Sequence, residues 1–268
     1  MPGSQKAGVP SHTNQSSTKL LHLIEVLSHQ KEPARLQDIA RDSKMNSSTV
    51  LRFLSALQCM NYVAQDIDTG RYHLTFKLCA IAQNITSHTS IRSIAMPFLR
   101  NVSHVFGESC NLAVESDMSV MYVEVANASG KTLMSTQRIG NVAPMHCTGV
   151  GKLMLSGFSE NEMEKYIAVR GLPKLTEHTL TTKEAIDSEL DKIRSDGYAF
   201  DNEECEAFVR CIAAPIHDYT GKIIAGISVS GPAARMSDEH IMKNLPVLME
   251  TATQISLRLG WQKNEAES

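Results

Sequence analysis

Apolar residues recur at helical spacing from Leu20 to Val105, interrupted by one short β-prone hairpin, and the period then changes. Leu20, Leu21, Ile24 and Leu27 predict a first helix, capped near Ser17 and broken by Pro33. Leu36, Ile39 and Ala40 predict a short second helix, in which the small Ala40 lets a neighbour approach closely. Beyond the turn Lys44-Met45-Asn46, residues Val50, Leu54 and Leu57 form the i, i+4, i+7 inward stripe of a third helix, with Ser47 or Ser48 as its cap. That stripe leaves Ser47, Ser48, Thr49 and Arg52 outward on the first turns. Taken alone, this pair fits an ordinary helical hairpin as well as a helix-turn-helix. The next residues decide: Tyr62 to Gln65 and Arg71 to Leu74 are β-prone runs around Asp66-Ile67-Asp68-Thr69-Gly70, a hairpin that reads as a wing. The third helix is then expected in a DNA groove. Arg71, on the same face as His73, is expected at the wing tip against phosphate or the minor groove.

Leu74, Leu78, Ile81, Ala82 and Ile85 continue the helical spacing through a stretch without Pro or Gly, which predicts a linker helix or a surface helix packed on its own domain. An amphipathic helix follows with Ile91, Ile94, Phe98, Leu99, Val102 and Val105, bent at Pro97. The period then becomes two. Strands are expected at 110–116 and 119–126 around the turn Asp117-Met118, at 131–139, and later at 198–202, 211–217 and 222–230, the last two joined by Asp218-Tyr219-Thr220-Gly221. Helices are expected at 149–157, 159–168, 182–196 and 237–259. Hairpins with interspersed helices define an α+β chain whose second domain is an antiparallel sheet covered by helices.

A chain of 268 residues with 42% hydrophobic content has room for a core in each of two domains. It has no apolar run of membrane-spanning length, and its polar first residues lack a signal-peptide core, so a cytoplasmic protein with a flexible tail is expected and no membrane partner. Six cysteines without a CxxC pair suit reduced thiols. Charge is split along the chain. The first 88 residues carry nine basic side chains, Arg35, Arg52 and Arg71 among them, against six acidic, a net of +3, and the total of −3 leaves −6 on the remainder. A mildly basic module on an acidic body keeps phosphate attraction local, and so small an excess points to two modules on one DNA, hence a dimer.

Three segments of the second domain carry candidate chemistry. MHCTGVGK (145–152) places Gly149 and Gly151 at a helix start, where backbone amides can receive an anion. It is not a phosphate loop, because the first glycine of that motif would fall on His146 and Leu153 stands where a hydroxyl is needed. YAFDNEECEAFVRC (198–211) is an acidic cluster leading to Arg210 and Cys211, and ISVSGP (227–232) puts Ser228 and Ser230 on one strand face. Singly these fit close packing, a solvated loop and solvent-facing serines. Together they favour a small-molecule pocket. A nucleophile and base pair does not follow from His146 and Cys147 or from His217 and Asp218, since adjacent side chains on an extended segment diverge. A metal site from His146, Cys147, Cys205 and Cys211 has loose spacing. The competing readings are an enzyme fused to a DNA-binding module, with Cys147 or Cys211 as nucleophile, and a thiol or metal sensor.

The motifs NSSTVLRFLSALQCMNYV, GRYHLTFKL, MHCTGVGKLML, RGLPKLTEHTL, GYAFDNEE, RCIAAPIHD and ISVSGPAAR resemble the IclR family of bacterial transcription regulators, from about Ser17 to Gly260. The resemblance implies a tail over 1–16, a winged helix-turn-helix over 17–77, a linker helix over 78–90 and a GAF-like effector domain over 91–262. It implies a dimer or dimer of dimers on palindromic operator DNA of catabolic genes, with a small organic or sugar acid as effector, and neither cofactor nor catalysis. The DNA-facing residues are then Arg35, Ser47, Ser48, Thr49, Arg52 and Arg71. The effector positions are Gly149, Val150, Asp201, Val209, Cys211, Ser228 and Ser230, with Cys147 and Thr148 lining the same cavity. An acid is expected with its carboxylate at the amides of Gly149 to Gly151 and the serine hydroxyls, and with Asp201 at the opposite end accepting from ligand hydroxyls. Two positions depart from the family pattern. Phe208 stands where Gly is common, which is expected to shrink or reshape the pocket, and Ser47 replaces a frequent Lys.

Overall fold

A computed structural model describes residues 14–88, 90–128 and 137–262, which fall into two compact units, one ending at His88 and one beginning at Thr89. The first unit contains helices α1 (Gln15–Ser28), α2 (Leu36–Asp42) and α3 (Ser47–Cys59), strands β1 (Val63–Gln65) and β2 (Tyr72–Leu74), and helix α4 (Lys77–His88). Leu23, Leu27, Ile39, Val50, Phe53, Leu54, Leu57, Val63 and Tyr72 form its core. The third-helix stripe is therefore inward as expected.

The two cap assignments differ from expectation. Helix α1 begins before Ser17, with the Asn14 carboxamide oxygen accepting from the Ser16 and Ser17 amides. Its buried pair is Leu23 and Leu27, while Leu21, two residues and about 200° from Leu23 on a helix, is 60% exposed. In α3 the cap is Asn46, whose Oδ1 accepts from the Thr49 amide at 2.8 Å. Lys44 adopts a left-handed φ of 53°, and the chain leaves that turn extended at Asn46, one residue ahead of the two serines. Helix α4 is held at its start by Lys77, whose Nζ donates to the Met60 carbonyl at 2.6 Å and lies 4.3 Å from the Tyr62 ring centroid. Its residues Ile81 and Ile85 remain exposed.

The second unit is a six-stranded antiparallel sheet in the order β5-β4-β3-β8-β7-β6. Its strands are β3 (Ser109–Ser116), β4 (Ser119–Ala126), β5 (Val142–Ala143), β6 (Ala199–Asn202), β7 (Val209–His217) and β8 (Ile223–Pro232). Helices α5 (Ile91–Phe106) and α9 (Asp238–Arg258) cover one face, and α6 (Gly149–Ser156), α7 (Glu160–Arg170) and α8 (Lys183–Asp196) the other. Period-two alternation sends Ile212, Ala214 and Ile216 to the first face, while Ala213 faces α6. Asp117 and Met118 both have positive φ, the geometry of a two-residue hairpin turn. Of the strand expected at 131–139, residues 131–136 lie outside the described residues and 137–139 are not in a strand, so the described partner of β4 is the short β5.

Strand β6 pairs with only the first part of β7, as far as Ala213. Beyond it the exposed edge is protected twice. Pro215 has no N–H to offer, and the His217 N–H donates to Ser256 Oγ on α9 at 2.9 Å.

Helix α6 is buried from Gly149 to Leu155. It reaches that depth because its neighbours are small: a Cβ on Gly149 would sit 3.0 Å from the Ala213 Cβ, and one on Gly226 2.8 Å from Val150 Cγ1. The tightest contact is at Gly151, where a Cβ would lie 2.3 Å from both the Cα and the carbonyl oxygen of Met145. Backbone cannot retreat as a side chain can, so Gly151→Ala is expected to force α6 off the preceding turn. A loss of about 3 kcal/mol should appear in urea unfolding, and a variant as stable as the parent would contradict this packing.

Candidate functional site

In the first unit, Ser47, Ser48 and Arg52 of α3 are exposed and Thr49 is half-buried beside the cap. The Arg52 guanidinium lies 5.4 Å from the Phe53 ring centroid. Arg35 is exposed at the start of α2, whereas Arg41 is paired with Asp38 at 3.2 Å and Asp42 at 3.1 Å. Arg71 departs from expectation. The hairpin tip is Ile67 to Gly70, with Ile67 98% exposed, and Arg71 follows the turn, where its Nη1 donates to the Pro33 carbonyl at 3.4 Å. The wing arginine thus leans on the loop before α2. Sequence reasoning passed over Leu51, an exposed residue amid the α3 polar positions, although the buried stripe already implies that it faces outward.

In the second unit, eight of the nine expected effector residues line one cavity: Thr148, Gly149, Val150, Asp201, Val209, Cys211, Ser228 and Ser230. Strand register builds it. Asp201 on β6 stands opposite Cys211 on β7, which stands opposite Ser230 on β8, and one step along the same face Ala213 stands opposite Ser228. Asp201 and Ser230 are thus two strand spacings apart, roughly 10 Å. Cys147 lies behind the wall, its thiol directed to the Pro144 carbonyl at 3.9 Å. Tyr122, Gln137, Cys205 and Glu206 complete the lining: the last two lie in the acidic segment that the sequence marked only as a whole, and Tyr122 was not legible because strand order alone brings β4 there. The cavity volume is about 20 Å³, room for a single water. Larger open clefts of about 900 and 670 Å³ lie elsewhere on the unit, away from Asp201 and the serines.

Two expectations about this cavity are corrected. Thr148 caps α6, its Oγ1 accepting from the Gly151 amide at 3.3 Å, so the helix amides left for an anion are those of Gly149 and Val150. Phe208 does not narrow the cavity: its side chain is 80% exposed, and its φ of 66° explains why glycine suits the position.

Among the described residues no lysine, arginine or histidine lines the cavity. Burial pushes the Asp201 carboxyl up to about 7, against two amide donations to Oδ1 from Glu204 at 2.8 Å and Cys205 at 3.3 Å. The loop after Asp201 is fixed from beneath by Lys152, a fully buried side chain whose Nζ donates to Glu204 and, at 3.2 Å, to Glu189. Burial still raises Glu204. Its carbonyl accepts from Thr179 Oγ1 at 2.6 Å. Burial and the Asp201 charge push the Cys211 thiol up to about 12, and a hydrogen bond to Cys205 together with burial pushes Cys147 up. Both are held as neutral thiols, the opposite of an activated nucleophile. His146 is kept neutral by burial, with Nε2 3.1 Å from the Pro173 carbonyl and Nδ1 3.4 Å from the Tyr166 hydroxyl. Among the described residues no three His, Cys, Asp or Glu side chains are arranged to hold a metal ion.

A winged helix-turn-helix unit joined to a helix-covered antiparallel sheet with a buried polar cavity defines a two-domain transcription regulator. The chain belongs to the IclR family: residues 83–257 match the bacterial transcriptional regulator IclR C-terminal family, and residues 16–66 the IclR helix-turn-helix domain. It is 30% identical over 246 residues to the HTH-type transcriptional regulator KdgR of Escherichia coli, covering 92% of this chain and 93% of that one, and 29% identical over 248 residues to the transcriptional repressor IclR of the same organism, covering 92% and 90%. Among solved structures it is similar to the Thermotoga maritima IclR, with a TM-score of 0.62 and 27% identity over 93% of this chain and all of that one, and to the C-terminal domain of E. coli KdgR, with a TM-score of 0.58 and 30% identity over 64% and 99%. It is thus a DNA-binding transcription regulator with the expected α+β fold. Among the described residues no helix is long and apolar enough to cross a membrane.

The raised Asp201 acidity has a stability consequence. Between its ordinary value near 3.8 and about 7 the folded protein binds a proton that the unfolded chain releases, so this group's contribution to stability is full below pH 4 and is lost as pH rises to about 7. Asp201→Asn keeps an acceptor for the two amides and removes the titration. Its stability relative to the parent is expected to rise between pH 4 and pH 8, by at most about 4 kcal/mol, in paired urea titrations. A difference independent of pH would show that Asp201 is ionised throughout.

Proposed function

We propose that the chain is an effector-responsive regulator of catabolic genes that acts in the cytoplasm, binds operator DNA as a homodimer or dimer of dimers, and senses a small organic or sugar acid. The observation that carries the effector reading is the row Asp201, Cys211 and Ser230 beneath the open amides of Gly149 and Val150. Neutral donors converge there without a buried counter-charge among the described residues, which suits one carboxylate at modest desolvation cost. Asp201 at the far end of the row is the acceptor for ligand hydroxyls, which favours a hydroxylated acid. A ligand larger than water requires the cavity to open, and that opening supplies the two states it must distinguish. A differential affinity of about 1–3 kcal/mol between DNA-competent and incompetent states is sufficient for regulation. The exposed Ile81 and Ile85 on α4 support assembly through that helix. The neutral thiols and the kinship with transcription regulators both argue against the fused-enzyme reading.

Calorimetric titration with a panel of organic and sugar acids tests the effector site. The best acid should bind the parent protein and lose at least tenfold in affinity for the Ser228→Ala, Ser230→Ala double variant, and equal binding by both proteins would remove the acid from this cavity.

On the DNA side, Arg52 is assigned to a base edge or phosphate and Arg35, Ser47, Ser48, Thr49 and Arg71 to supporting contacts. Arg52→Ala should cost about 1–3 kcal/mol of operator binding in gel-shift titrations and reduce the salt dependence, while unchanged binding at every salt concentration would rule the contact out. Sedimentation at micromolar concentration should give at least a dimer.

A further inference from the structure

The outward face of α3 consists of Ser47, Ser48, Leu51, Arg52 and Ser55, all exposed. Leu51 is 44% exposed and takes no part in the core that Val50, Phe53 and Leu54 enter. It stands one turn beyond Ser47 and one turn before Ser55, at the centre of the face. Two of the flanking hydroxyls are turned back on the protein: Ser48 Oγ donates to Asn46 Oδ1 at 3.0 Å and Ser55 Oγ to the Leu51 carbonyl at 2.9 Å. The middle of this face is therefore more apolar than its composition suggests.

Docking this face in the major groove removes water from Leu51 and from whatever base edge lies beneath it. Ring nitrogens, carbonyl oxygens and amino groups left under an aliphatic side chain lose their water partners and gain none, a penalty comparable to a broken hydrogen bond. The groove floor offers one apolar group, the thymine C5-methyl. We infer that Leu51 is a specificity-determining residue that packs on a thymine methyl, so that each operator half-site carries thymine at the base pair under the centre of α3. The inference rests on the reading of α3 as the helix that enters the groove.

The test uses the full-length protein and DNA duplexes selected by it from a random pool. Each thymine of the selected half-site is replaced singly by deoxyuridine, which removes only the methyl. At one position per half-site the replacement should weaken the parent protein about four-fold, the amount expected for one buried methyl. The same replacement should change binding by Leu51→Ala less than two-fold. Leu51→Gln, which replaces the apolar contact by an amide, should likewise lose the response to the methyl. A parent protein indifferent to every deoxyuridine overturns the inference, as does a methyl effect that persists in Leu51→Ala. Altered sedimentation of Leu51→Ala with unchanged methyl discrimination also overturns it, because Leu51 then lies between copies of the chain. Failure of the parent to select any sequence would instead overturn the groove-entering role of α3.

Discussion

The buried ammonium of Lys152 is the interaction on which the second unit's site depends. It lies on a helix buried from Gly149 to Leu155, and its hydrogen bonds run to Glu204 in the acidic loop and to Glu189 on α8. An unpaired charge at that depth would cost several kcal/mol, so helix, loop and α8 must be in place together. Glu204 in turn donates its amide to Asp201. The cavity wall is thus set by an ion pair that does not itself face the cavity.

That arrangement separates charge from recognition. The lysine is consumed below the loop, and the cavity above it keeps hydroxyls, thiols and helix amides, with the Asp201 carboxyl poised near neutrality and Glu206 also in its lining. Under the proposed function, such a lining would hold an anion with fixed dipoles rather than with a counter-charge. A buried lysine facing the same anion would bind more tightly and respond less to concentration.

The first unit achieves its geometry with less burial. Its core is confined to one side of α3, and Asn46 at the cap, the left-handed Lys44 and the short hairpin hold the opposite side bare. A helix with one face packed and one free can enter a groove without reorganising its own core. Its outward face is polar at the edges, with Leu51 at the centre.

Periodicity in the sequence determined most of the architecture. The inward stripe of Val50, Leu54 and Leu57, the hairpin at Asp117-Met118 and the strands near 211–217 and 222–230 are local patterns, and local backbone preferences suffice to produce them. The motifs also marked eight residues that the fold brings to one cavity. Caps were less legible, because Asn14 and Asn46 won their positions through turn geometry that adjacent serines could equally have served. Only the tertiary structure decided that Thr148 takes the Gly151 amide, that Cys147 lies behind the wall, that Phe208 points to solvent and that Lys152 spends its charge on Glu204. Those outcomes depend on which strands become neighbours and on how deeply α6 settles. Both are fixed by contacts between residues far apart in the chain, which no local pattern encodes.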